Sequence, residues 1–392
     1  MNIGKYIFAQ VIEFIPRYQF EKLVKKYNGD WHAKNLNCYN QLLHLLFGQI
    51  TGCDSIRDIC LCLEAHGAGI YHLGIRKSVN QSNLCRANEK RDYRIYEELG
   101  MYLISVVRPL YSKTKLSEIT IDNALYALDS TTISTSIVLA TWALGKYSKG
   151  AVKMHTLLDL RGSIPVSIHI TDGKYHDSRE LKELDPEPFA FYIMDKAYVD
   201  FFSLYRFHAE GAYWVSRAKD NMQYVIISHR NDSDYSLGIK RDFTIKLTGY
   251  KSSKLYPDPI RLVIYHDAES DTDIEFITNN FEIDALEVTN LYRHRWDIEV
   301  FFKWIKQNIV VKTLWGYSEN AVRTHLWVAI IAYLVIARIK ADYNSPYSIT
   351  EVATLIRISA LERVELRDLI TKPKDSTIQS QNVKDLSLFE EF

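Results

Sequence analysis

Near residue 120 the spacing of apolar residues changes, and that change limits the folds open to this chain. Before it, apolar positions recur at helical intervals in 7–14, 39–47, 56–63 and 93–107. After it they fall into short β-like runs at 125–128, 152–158, 164–171, 189–194 and 213–217. The sequence Asp-Leu-Arg-Gly-Ser over 159–163 joins the second and third runs as a hairpin. Short helices are expected at 180–184, capped by Asp177 or Ser178, and at 199–208. Strand, hairpin, helix, strand, helix, strand describes a mixed α/β sheet. Four more β-like runs, 223–227, 242–248, 261–266 and 273–278, read as a small β subdomain inserted before the next helix. Two helical runs, 318–341 and 349–370, and a polar end complete the chain. The expected division is an all-helical domain over 1–112, then an α/β domain over 113–345 with its β-rich insertion at about 221–282. A helical segment and tail over 346–392 would follow.

Composition excludes little. With 24% charged and 47% hydrophobic residues in 392, the chain is globular, not disordered. A formal net charge of zero would ordinarily argue against a nucleic-acid partner, so the distribution matters more. Residues 1–120 hold sixteen Lys/Arg against eleven Asp/Glu. All five cysteines (Cys38, Cys53, Cys60, Cys62 and Cys85) lie in the first quarter and form no CxxC pair. They read as reduced, buried thiols of a cytosolic protein. The start, MNIGKYIFAQVIEF, has no signal-peptide pattern. The apolar run 326–339 is too short for a bilayer, contains Arg338, and is expected to be a buried helix.

Within the helical region, 78–99 is a candidate DNA reader. Ser82 would cap a helix through Leu84, Arg86, Asn88, Lys90, Arg91 and Arg94. A helix at 55–65 and a glycine-rich turn at 67–74 would complete a helix-turn-helix-like unit. Arg86, Lys90 and Arg91 are then candidate DNA contacts. A solvated basic face is the plainer alternative.

The segment Tyr292–Lys306, YRHRWDIEVFFKWIK, concentrates the chemistry. On one continuous helix, Tyr292, Arg295, Glu299 and Lys306 share an arc of roughly 60°. Beside it an apolar arc of Leu291, Ile298, Phe301, Phe302, Ile305 and Ile309 is what the helix buries. Asp129 in LDSTT and Asp195 in MDKAY each stand where a strand run ends. Two strand-end aspartates and a helix glutamate make three convergent carboxylates, which cannot all ionise together without a cation. Oxygen ligands suit Mg²⁺ or Mn²⁺. Two such ions, roughly 3.5–4 Å apart, would serve phosphodiester cleavage.

These residues resemble the signature of DDE transposases of the insertion-sequence-4 family. Tyr292, Arg295, Glu299 and Lys306 meet the Y-x2-R-x3-E-x6-K pattern without departure. LDSTT, KYSKGAVKMHTLLD (146–159), TDGKYHD (171–177) and IMDKAYVD (193–200) also look like that family. So does LLHLLFGQITGCDSIRDI in the N-terminal region, which resembles the DNA-binding segment of one branch. The resemblance reaches to about residue 370 and implies a ribonuclease H-like catalytic core. Asp129, Asp195 and Glu299 match the catalytic and metal-binding triad, with two Mg²⁺ ions as cofactor and Mn²⁺ as a substitute. Tyr292, Arg295 and Lys306 are implied to contact transposon-end phosphates. The implied activity is cut-and-paste transposition in the bacterial cytoplasm, at the nucleoid. The enzyme would cleave at terminal inverted repeats and transfer the 3′-hydroxyl ends to target DNA. The implied partners are double-stranded DNA and a second copy in a homodimer, with no membrane. The spacing of 104 positions between Asp195 and Glu299 matches the family's β insertion. In some relatives a tryptophan of that insertion stacks on a flipped base. Here Trp214 precedes the insertion, and Tyr250 and Tyr256 are the aromatics considered in its place.

Two other functions compete: a catalytically inactive, transposase-derived repressor, and a structure-selective Mg²⁺-dependent nuclease without strand transfer. His176–Asp177 could be a metal pair, but loop bracing or capping is the expected role. His155 shares a strand face with Lys153 and could sit behind the site or in the core. Trp296 and Trp304 are expected to pack.

Overall fold

A computed structural model describes residues 4–135, 142–143, 150–230, 235–308 and 314–372. The chain forms two compact units: Met1–Leu103 with Trp304–Phe392, and Ile104–Lys303. The boundaries expected near 112 and 345 differ from these. The helices that follow residue 304 group with the N-terminal ones.

Ile104–Lys303 is built on one sheet. Its strands are β1 (Leu125–Thr135), β2 (Gly150–Asp159), β3 (Ile164–Asp172), β4 (Phe191–Met194), β5 (Tyr213–Arg217), β6 (Tyr224–His229), β7 (Ile239–Leu247), β8 (Ile260–Asp267) and β9 (Thr272–Thr278). Their order is β3-β2-β1-β4-β5-β9-β8-β7-β6. β1, β2 and β3 are antiparallel neighbours, and β1, β4 and β5 are parallel. The β4 sequence FYIM is buried at every position, as a central parallel strand requires. The β2–β3 turn needs its glycine, since a Cβ at Gly162 would meet the Tyr111 Cβ at 2.3 Å.

The β-like runs after Gln223 do not stand apart. β9 pairs with β5, so β6–β9 extend the main sheet. Leu128, Tyr192, Met194, Phe207, Trp214 and Ile245 belong to one core that runs beneath both stretches.

In the other unit every described element before Leu103 is an α- or 3-10 helix. The helix Cys38–Thr51 is capped by Asn37, whose side chain accepts from the Asn40 amide at 2.7 Å. Glu319–Asp342 is capped by Ser318 and packs against Cys38–Thr51 and Gln81–Lys90. This helix is long and apolar enough to cross a membrane, which the shorter run 326–339 did not suggest. Its most apolar window is nevertheless 89% buried within the protein. A full capping box of Ser348 and Glu351 starts Ile349–Ser359. All five cysteines are free. Cys38, Cys53 and Cys60 are buried as expected, but Cys62 is exposed.

Candidate active site

β1 and β4 run parallel in a register that pairs Leu125 with Phe191 and Leu128 with Met194. The next residue on each strand is an aspartate, so Asp129 and Asp195 leave the end of that parallel ladder together. Asp129 does not end its strand, however. β1 continues through Thr135, with Asp129 opposite Thr156 of β2. Only the parallel pairing stops there. The polar, β-branched sequence STTIST carries the strand on against β2 without an apolar run to mark it. Asp195 does leave its strand, as the residue before the 3-10 turn Lys196–Tyr198.

The single helix expected over 292–306 is two helices. Ala285–Arg293 ends, His294 and Arg295 form a turn, and Trp296–Asn308 begins. His294 accounts for the break. Its Nδ1 lies 3.0 Å from Asp297 Oδ2 and its Nε2 lies 3.0 Å from the Ser117 carbonyl. Backbone bonds from Arg295 to Tyr292 and from Asp297 to His294 tighten the chain there to i→i−3 spacing. The roughly 60° arc of a continuous helix therefore does not exist.

Three of its members still converge. The Arg295 guanidinium places Nη2 2.6 Å from Glu299 Oε1 and Nη1 3.3 Å from Asp129 Oδ2. It also lies 5.6 Å from the centre of the Tyr292 ring. Tyr292 donates its hydroxyl to Asp195 Oδ1 at 3.4 Å. Burial pushes the Tyr292 hydroxyl up to about 12, so it is a donor at neutral pH. Burial also pushes Asp129 up to about 6. The Ser130 amide and Arg295 oppose that shift, while Glu299 and Asp195 add to it. Asp129 thus feels the charge of both other carboxylates.

A polar network joins the two aspartate segments from behind. Asp177 Oδ1 accepts from the Ser130 hydroxyl at 2.6 Å, and Lys153 Nζ lies 2.9 and 3.0 Å from its two oxygens. The Tyr198 hydroxyl, three residues past Asp195, reaches the same Oδ1 at 3.4 Å. Burial would raise the Asp177 carboxyl, but Ser130 and Lys153 overcome it and hold Asp177 below the usual carboxylate range. Asp177 is therefore a brace and not a helix cap. The N-cap position of Asp177–Glu183 falls to His176, whose side chain makes no capping bond. His155 is buried behind Asp177, its Nδ1 3.6 Å from Oδ1, and burial lowers it to about 4.

The family described as "Transposase DDE domain" matches residues 122–335. The chain belongs to the DDE transposase family. A second family, described as a domain of unknown function (DUF4372), matches residues 3–76. A probable transposase for insertion sequence element IS5377 of Geobacillus stearothermophilus is 30% identical over 274 residues, 69% of this chain and 70% of its own. A putative transposase, y4zB, of Sinorhizobium fredii is 33% identical over 224 residues, covering 56% of this chain and 62% of its own length. Among solved structures, a piggyBac transposase synaptic complex with hairpin DNA aligns over 96% of this chain and 82% of its own, at 9% identity and a TM-score of 0.44. That likeness is too loose to carry residue roles.

The protein is therefore an insertion-sequence transposase, a DNA-cleaving enzyme. Enzymes of this family use divalent metal ions. Asp129, Asp195 and Glu299 offer oxygen donors only, the chemistry a hard divalent cation takes, and their mutual repulsion is what such a cation relieves. Among the described residues no three His, Cys, Asp or Glu side chains stand close enough to hold an ion as they are. Arg295 engages two of the three carboxylates instead.

Other anticipated residues of the transposase fall elsewhere. Lys306 lies beyond the Ile104–Lys303 unit, exposed on the last turn of Trp296–Asn308. Ile309 and the first residues of the KYSKGAVKMHTLLD stretch lie outside the described residues. Trp304 packs, at 5% exposure, but Trp296 is 62% exposed. Tyr256 is buried against Trp214, so it has no free face, while Tyr250 is exposed. The candidate reader helix spans Gln81–Lys90 and is capped by Asn80, not Ser82; the Asn80 side chain accepts from the Asn83 amide at 2.9 Å. Arg86 and Lys90 are exposed on it. Arg91 is engaged, donating to Gln41 Oε1 at 2.7 Å and to the Leu36 carbonyl. The roles of Ser130, Lys153 and Tyr198 were missed from sequence. The available signal was strand alternation, which put Lys153 and His155 on one face.

Proposed function

We propose that this enzyme is an insertion-sequence-4 type transposase with a ribonuclease H-like core, acting by cut and paste in the bacterial cytoplasm. The convergence of Asp129 and Glu299 on one guanidinium, with Tyr292 reaching Asp195, carries the reading. The β3-β2-β1-β4-β5 stretch supports the core assignment, since its parallel strands deliver both aspartates to one end.

Asp129, Asp195 and Glu299 would hold two Mg²⁺ ions, with Mn²⁺ as a substitute. Bound there, the ions supply Lewis-acid activation of the attacking oxygen and charge stabilisation at the leaving oxygen. Arg295 must first release a carboxylate, which frees its guanidinium for a DNA phosphate. Tyr292 orients Asp195 and presents its ring to the DNA end. Lys306 contributes a phosphate contact. In the first step water attacks the phosphorus at the element's end, and the 3′-oxygen leaves and takes a proton. In the second, that 3′-hydroxyl attacks a target phosphodiester and expels a target 3′-oxygen. The helical region before Leu103 binds the terminal inverted repeats. A homodimer couples the two ends.

Glu299→Gln tests the site. Cleavage of a duplex carrying the DNA that borders the gene should be lost, with binding to that duplex nearly unchanged. Normal cleavage by this variant would remove Glu299 from the site.

A further inference from the structure

Between the helices Arg17–Lys26 and Cys38–Thr51 the chain makes a braced loop that holds an indole out to solvent. Asn28 and His32 take positive φ angles of 50° and 57°, the left-handed conformation that Asn and His adopt more readily than most residues. Hydrogen bonds hold the segment between them and the next helix. The Gly29 amide donates to the Val24 carbonyl at 2.9 Å, and the Cys38 amide donates to Asp30 Oδ1 at 2.6 Å. Arg91 ties the Leu36 carbonyl to Gln41, and Gln41 donates to Asn88 at 2.6 Å. A Cβ at Gly29 would meet Ile95 at 2.5 Å, so the loop is seated directly on the helices. Yet Trp31, at its tip, is 76% exposed.

Facing that loop, Asn83, Arg86 and Lys90 are all exposed on the helix Gln81–Lys90. Their spacing of three, four and seven residues puts them on one face. Loop and helix face enclose an open cleft of about 990 Å³. A second cleft, of about 520 Å³, adjoins it through Lys34 and Asn35 and is lined by Arg76 and Lys77. Among the described residues no ion pair engages Lys34, Arg76, Lys77, Arg86 or Lys90. Asp92 is the acid in the lining of the two clefts, and Arg94 takes its carboxylate at 2.5 Å. Exposed, unneutralised cations and amides are the chemistry that grips the phosphate backbone of a duplex, and an exposed ring beside them offers an apolar contact to its sugars and base edges.

We propose that this cleft is the seat for duplex DNA on the helical unit. Asn83, Arg86 and Lys90 face phosphates and base edges, Lys34, Arg76 and Lys77 continue the phosphate track, and Trp31 makes an apolar contact with sugar and base. Arg91 is a brace for the Trp31 loop and not a contact. The inference rests on the end-binding reading above and gives it a location.

The test is fluorescence anisotropy with the full chain. The probes are a labelled duplex of the DNA bordering the gene, a scrambled duplex, and a single strand of the same length. Arg86→Ala/Lys90→Ala should weaken duplex binding about tenfold or more at low salt and reduce the salt slope by about two. Trp31→Ala should weaken it severalfold with the salt slope unchanged, because an apolar contact is lost and no charge is. Arg86→Lys/Lys90→Arg should keep the salt slope, which separates charge from folding defects. Wild-type affinity in both alanine variants, with binding by the unaltered chain intact, overturns the cleft. Loss confined to the single strand overturns the assignment to duplex. Failure of the unaltered chain to bind any of the three probes overturns the end-binding reading itself.

Discussion

Asp177 accepts a 2.6 Å hydrogen bond from Ser130, the neighbour of Asp129 in β1. Tyr198 ties the same carboxylate to the segment after Asp195. One side chain thus sets the spacing of two proposed ligands that it does not itself extend. Asp177→Asn should lower cleavage by about tenfold while end binding persists, a loss at the low end of that seen for groups behind a metal site, because Asp177 acts on the proposed ligands only through Ser130 and Tyr198. Ser130→Ala should lose less, and the double variant should lose little more than Asp177→Asn. Additive losses would mean that the two residues act separately.

Arg295 pairs with the Asp129 and Glu299 oxygens that the proposed cation would take. Arg295→Ala should bind Mn²⁺ more tightly in the absence of DNA, yet cleave about 10²–10³-fold more slowly, because the phosphate loses its guanidinium. Calorimetry and a cleavage assay read the two effects. Weaker Mn²⁺ binding would instead make Arg295 an organiser of the carboxylates.

Lys306→Ala should weaken end binding and reduce the slope of log affinity against log salt by about one. A loss independent of salt would point to support of the helix instead.

His325 stacks on Trp315 with ring centres 4.2 Å apart, and its Nδ1 accepts the Trp315 amide at 3.2 Å. A proton on Nδ1 would face that amide hydrogen. Burial lowers His325 to about 3. The folded value lies below the unfolded one, so the unfolded chain binds the extra proton between these values. Stability should be complete above about pH 6.5 and fall as pH drops, by at most about 1.4 kcal/mol per pH unit from this group. His325→Phe should flatten that part of a urea-melting series. An unchanged pH profile would exclude His325 as a source of acid lability.

Asp242 on β7 and Arg261 on β8 form a fully buried pair, 2.7 and 3.0 Å apart at two contacts. Asp242→Asn should cost about 3–5 kcal/mol, since it takes the carboxylate charge away from the buried Arg261 guanidinium and from Arg230, 3.5 Å away on the same oxygen. Asp242→Leu with Arg261→Met should recover much of that loss in thermal melting. If the double variant melts lower than the single one, the pair itself is net stabilising.

The elements were legible where local patterning decides them. The β5 run 213–217 matches the strand residue for residue, and the helical runs expected from 55 and 318 begin within one residue of Ile56–Ala65 and Glu319–Asp342. Patterning failed where a side chain far along the chain intervenes. His294 ends a helix that residues 292–306 would continue on their own, because its ring bonds to Asp297 and to the Ser117 carbonyl. β1 runs past Asp129 because β2 supplies hydrogen bonds that an apolar run cannot announce.

By itself the sequence determined which chemistry is available: three carboxylates in order, a signature of Tyr, Arg, Glu and Lys, and the change from helical to strand spacing near residue 120. These are matters of residue type and period, which a chain carries locally. Tertiary structure decided their partners. It put Arg295 between Asp129 and Glu299, made Asp177 a brace, and drew the later strands into the main sheet through β5 and β9. Such pairings depend on strand register and on loops that return from distant positions, and no local period encodes them.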